Sequence, residues 1–170
     1  MIFGMSTATY TLIHVLISLV GIGSGFIVLY GLLNGKLLSG WTALFLVTTA
    51  ATSVTGFGFP FTHLLSSHKV GIVSLVALTV AILALYVFHL AGGWRRSFVI
   101  SAILSLYLNV FVLVAQMFMK VPALKALAPT QSEPPFLVTQ LVVLALFVVL
   151  TILAVKRFRE KLAIPYARAA

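Results

Sequence analysis

Ser97 to Met119 reads SFVISAILSLYLNVFVLVAQMFM, a run with no charged residue, bracketed by Arg95-Arg96 before it and Lys120 after it. A bilayer core about 30 Å thick takes about 20 apolar residues in helical form, and this run is long enough. Lipid offers no partners to backbone N–H and C=O groups, so a spanning segment must be a helix or part of a closed barrel. Barrel strands alternate over segments of about ten residues. This run does not alternate, and a transmembrane helix is expected.

The same pattern recurs on both sides. Eleven basic and two acidic residues are all the charges the chain carries, and they leave four further uncharged stretches, 1–35, 37–68, 70–94 and 134–155. The expected fold is therefore an all-α integral membrane bundle of five transmembrane helices, one domain over 1–170. Its spans fall at about 7–33, 41–59, 69–90, 98–119 and 136–155, with an outer loop over 120–135 and a basic tail over 156–170. Hydrophobic residues make up 62% and charged residues 8%, with a mean hydropathy of +1.21. These values exclude an ordinary soluble domain. The longest polar connection is too short to fold alone, so binding or catalysis belongs within the membrane or at its faces.

Charge placement gives the orientation. Lys36, Arg95, Arg96, Lys156, Arg157, Arg159, Lys161 and Arg168 fall on one side of a five-span chain, and Lys69, Lys120 and Lys125 on the other. The excess marks the cytoplasmic side, which puts the N-terminus outside and the C-terminus inside, with the tail drawn to anionic headgroups. The net charge of +9 is thus spent at the membrane. No basic stripe interleaves with aromatic residues, and nucleic acid is not an expected partner. No basic segment precedes Lys36, so the first apolar stretch is expected to stay as a span. Cysteine is absent, which excludes disulfides, thiolate ligands and a cysteine nucleophile.

Within the spans, Gly21 and Gly25 form a GxxxG pair that lets another helix, or a flat ligand, come close. Thr48, Thr52 and Thr55 recur at helical spacing and are expected to hydrogen-bond within the bundle, while Gly56-Phe57-Gly58-Phe59-Pro60 closes the second span. Trp41 and Trp94 suit interface anchors. Pro122, Pro129, Pro134 and Pro135 make the outer loop an expected extended cap.

Most of the polar side chains collect towards the outer side. His14 lies about two turns into the first span, His63 in the outer connection, and His68 at the start of the third span. Gln116, Lys120 and Gln140 sit at outer helix ends, and Asn109 lies near mid-depth. Ionisable groups at membrane depth default to functional-site hypotheses, with histidine and amides weaker signals than a carboxylate. His14, Ser18, Gly21 and Gly25 share one helical face, as do Ser105, Asn109, Gln116 and Lys120, and both faces should point into the bundle. His89 stands apart. It lies about 30 Å of helix from His68, so the two cannot share a ligand, and an interfacial hydrogen bond is its expected role.

Three readings of the outer cluster stay open. Haem b ligation would use His14 with His68 or His63 on the iron, Gly21 and Gly25 against the ring, and Lys69 and Lys120 towards the propionates. A quinone needs only an apolar cleft and a polar group such as His14, Asn109, Gln116 or Gln140. The third reading makes these side chains interhelical hydrogen bonds, worth about 0.6–2 kcal/mol per pair. A metal site built on His14, His63 and His68 lacks a nearby carboxylate other than Glu133. No catalytic residue is assigned.

His14 followed by Gly21 and Gly25, Ser67-His68-Lys69-Val70-Gly71, Tyr107-Leu108-Asn109-Val110 and the loop Ala128 to Pro135 resemble a group of small, uncharacterised, multi-pass bacterial inner-membrane proteins. That group implies a location in the cell inner membrane and no activity. More loosely, histidines near one surface with helical glycines nearby are similar to the small membrane b-type cytochromes, which would imply haem and electron transport. The expected function is a small inner-membrane redox protein holding haem b or a quinone near the periplasmic face. The alternative is a non-enzymatic accessory or structural subunit partnered by lipid and another membrane subunit. A transporter ranks below both, since no acid lies within any expected span.

Overall fold

A computed structural model describes residues 4–59 and 66–167. It is all-helical: α1 (Thr7–Leu33), α2 (Ser39–Gly56), α3 (Ser66–Ile82, continued by a π-helical turn over Leu83–Val87), α4 (Trp94–Lys120), α5 (Pro122–Leu127) and α6 (Pro134–Ala167). Four stretches are long and apolar enough to cross a membrane: Thr7–Leu33, His68–Val87, Trp94–Lys120 and Pro134–Phe158. α2 differs in composition. Its serines and threonines lower its hydropathy, and several face inward: Thr42 and Thr49 are fully buried and Ser53 nearly so.

Helix ends follow local chemistry. The Ser6 hydroxyl caps α1 by accepting from Thr9 N–H at 3.1 Å. Its other end is a Schellman turn in which Lys36 N–H donates to Gly31 O and Gly35 N–H to Leu32 O. Gly35 takes the left-handed conformation that this turn requires, at φ 66°. The α3–α4 joint is tighter. Leu90 N–H reaches back to Ala84 O at 2.9 Å, His89 and Leu90 are both left-handed at φ 47° and 59°, and Phe88 stacks flat on Trp94 at 3.9 Å.

The apolar core gathers at one end of the bundle. Leu32, Phe45, Leu78, Ala81, Ala84, Phe98, Ala102, Leu106, Ala154 and Phe158 belong to one buried cluster. They come from the C-terminal halves of α1, α3 and α6 and the N-terminal halves of α2 and α4. α4 is the most enclosed of the four long helices and α6 the least, with 39% and 11% of their apolar windows buried.

Several sequence-based bounds shift. The second span ends at Gly56 rather than 59, because Phe57 N–H and Gly58 N–H turn back onto Val54 O and Thr55 O. α4 begins at Trp94, taking Arg95 and Arg96 into its first turn. The loop expected to be extended holds the short helix α5, which Pro122 starts at a position where its missing N–H costs nothing. The basic segment from 156 onwards continues α6 as helix to Ala167.

Candidate functional site

α1 and α2 lie antiparallel, and their register sets the geometry. At Gly25 an added Cβ would stand 2.6 Å from Leu106 Cδ1 and 2.9 Å from the Phe45 ring; at Gly21 it would meet the Thr48 and Thr49 hydroxyls at 3.3 Å. Two turns before Gly21, His14 Nδ1 is 2.8 Å from Thr55 Oγ1. The face carrying His14, Ser18, Gly21 and Gly25 therefore points at α2, as its spacing implied. The two glycines admit neighbouring helices rather than a flat ligand. Phe45, Leu106 and the threonines occupy the space beside them.

Around His14 the contacts are dense. Tyr10, one turn earlier, donates its hydroxyl to Thr55 O at 2.7 Å, and Ser18 donates to His14 O at 2.7 Å. The Phe59 ring meets the edges of both Tyr10 and His14, with centroids 5.1 and 5.3 Å away. His14 is half-buried. Lys120 is exposed at the end of α4.

His68 sits across the end of α2. Its ring is 5.4 Å from Phe57 and only 4% exposed, while Gly71, one turn on, leaves room for Phe57 at 3.3 Å. Beneath it Ser53 donates to Ser74 at 3.1 Å. His14 and His68 thus flank the end of α2, each against its own phenylalanine. Lys69 is exposed. His63 lies outside the described residues.

Comparison with protein-family models, with curated proteins and with solved structures finds no match.

The remaining expected residues divide. Asn109 donates to Thr49 Oγ1 at 3.3 Å, joining α4 to the threonine that faces Gly21. Gln140 is buried and donates to Phe111 O at 3.1 Å, leaving its Oε1 buried without a partner. Gln116 and Lys120 are exposed. The α4 face expected to point inward does so at Ser105 and Asn109 and opens to the surface at Gln116 and Lys120, because the apolar core lies at the opposite end of the helix. Among the described residues no three or more His, Cys, Asp or Glu stand together to hold a metal ion. Tyr10, Phe57 and Phe59 join the site unexpectedly. The signal for Tyr10 was its position four residues before His14, on the same face.

Proposed function

We propose that the chain is a five-span protein of the bacterial inner membrane, N-terminus outside and C-terminus inside, that binds a quinone beside His14 and serves electron transfer. The observation that carries this is the half-buried imidazole, held by Thr55 and edged by Phe59. A quinone site asks for an apolar wall and one or two convergent polar groups, and this end of the bundle supplies them. α2 counts as a span because its 18 residues rise about 27 Å alongside α1, with its hydroxyls turned into the bundle.

Haem b is a second form of the same reading, with His14 and His68 as iron ligands and the exposed Lys69 and Lys120 as propionate partners. Haem iron takes imidazole nitrogen readily and would supply one-electron chemistry. The filled glycine pair favours the quinone form, which needs no slot there. A separate reading, an accessory subunit of a larger membrane complex, draws on α6. It leaves Leu137, Val138, Leu141 and Val142 exposed, a face for lipid or another subunit.

Solvent extraction of the purified protein with mass spectrometry, and its visible spectrum before and after dithionite, test the proposal. Near-stoichiometric quinone is expected, lost in His14→Ala and kept in His89→Ala. A Soret band that shifts on reduction would select the haem form. A colourless, quinone-free preparation, from cells that load control proteins with both, removes both forms and leaves the accessory subunit.

A further inference from the structure

The protons around His14 can be counted. Thr55 Oγ1 lies 2.7 Å from Ala51 O and 3.2 Å from Thr52 O. Neither carbonyl carries a hydrogen, so the shorter approach requires the hydroxyl proton to lie between the oxygens. A threonine has one such proton. With it committed to Ala51 O, Thr55 can only accept from His14, and the hydrogen of that 2.8 Å bond belongs to Nδ1. A neutral imidazole with Nδ1–H carries its lone pair on Nε2. Among the described residues no hydrogen bond is made by Nε2, and its lone pair is left for a ligand.

The other donors here are also turned inward. The Tyr10 hydroxyl goes to Thr55 O and the Ser18 hydroxyl to His14 O. What the histidine offers to a ligand is an acceptor. A quinone carbonyl has only lone pairs and would meet the Nε2 lone pair unfavourably, whereas a hydroquinone O–H donates to it.

We infer that this site selects the reduced form: His14 Nε2 accepts the hydroxyl of a hydroquinone, and Thr55 is the positioning residue that fixes the tautomer. The inference rests on the quinone reading of the site. A mispaired, desolvated acceptor disfavours the oxidised ligand, so the reduced ligand should bind about tenfold more tightly, a difference of about 1.4 kcal/mol.

The test uses the full-length protein in lipid nanodiscs, with decylubiquinol held under argon and decylubiquinone as probes in calorimetric titrations. Nitrogen-15 spectra of histidine-labelled protein, assigned with His14→Gln, report the tautomer. The expected results are an unprotonated Nε2 on His14, a shift of that nitrogen with the quinol, and the tenfold preference. Thr55→Val should let the ring revert to Nε2–H and lose the preference, and Thr55→Ser should keep both. An Nε2–H ring in the unsubstituted protein, or equal or tighter binding of the oxidised probe, overturns the inference while the quinone reading stands. Binding of neither probe overturns that reading as well. The spectra of the unsubstituted protein decide the tautomer even if Thr55→Val fails to fold.

Discussion

Gly25 and Gly23 stand two positions apart on α1, and their substitutions should part company. A Cβ at Gly25 collides with Leu106 and Phe45, whereas at Gly23 nothing lies within 4 Å. Gly25→Ala is expected to cost about 1–3 kcal/mol by overpacking, and Gly23→Ala to stay within about 0.5 kcal/mol; thermal unfolding in one detergent compares them directly. The inward face of α1 was legible because His14, Ser18, Gly21 and Gly25 repeat at helical spacing. The partner of His14 was not. Thr52 and Thr55 are equivalent in the α2 sequence, and the choice between them is made by register, which Phe45 fixes by filling the space at Gly25. If the His14–Thr55 contact holds only the helices, His14→Ala should cost about 1 kcal/mol and His14→Gln almost nothing, since an amide also donates and accepts.

Four of the five expected spans are helices long and apolar enough to cross a membrane, and the helix ends depart further from the sequence reading. Charge does not end a helix here: Arg95-Arg96 and the basic run after Val155 are helical, because lysine, arginine and glutamate are good helix formers once outside the hydrocarbon. The left-handed His89 and Leu90 gave no signal, as neither residue type prefers that conformation. The turn before α6 does carry a readable device. Glu133 accepts from Thr130 Oγ1 at 2.9 Å, from Thr130 N–H at 3.1 Å and from Ser132 N–H at 3.0 Å. Desolvation pushes its carboxyl up, and these bonds, with its own N–H and the Thr130 hydroxyl, outweigh it and hold the carboxyl below the usual glutamate value. A depressed value means that the carboxylate stabilises the turn above the unfolded-state value, about 4.3, and that the contribution is lost as pH falls through the folded value. Protection of the Thr130 and Ser132 amides against hydrogen exchange should therefore drop on acidification, and Glu133→Gln should abolish that pH dependence. Unchanged protection at low pH would show that the carboxylate does not hold the turn.

At the scale of the whole molecule, the number of crossings turns on α2. Length and hydropathy alone identify four crossing helices and pass over it, yet α2 runs antiparallel along α1 from the Gly31–Leu38 contact to the His14–Thr55 contact. The proposal of a fifth crossing rests on that pairing. Its threonines make it polar by composition; the hydroxyls of Thr48, Thr55 and Thr49 bond to its own carbonyls or to a neighbouring helix, whereas those of Thr42 and Thr52 are buried with no partner among the described residues, against the hydrogen bond expected of Thr52. The two counts differ in parity. Five crossings place the chain ends on opposite faces, and four place them on the same face. The cysteine-free chain allows this to be read with single cysteines at Ser6, Ser132 and Ala169 and a membrane-impermeant maleimide. The positive-inside distribution together with five crossings predicts labelling from outside at Ser6 and Ser132, and at Ala169 only after the membrane is opened. Labelling of Ser6 and Ala169 from the same side would remove α2 from the spans, and protection of Ser132 with exposure of Ala169 would invert the molecule and turn the His14 site to the cytoplasm.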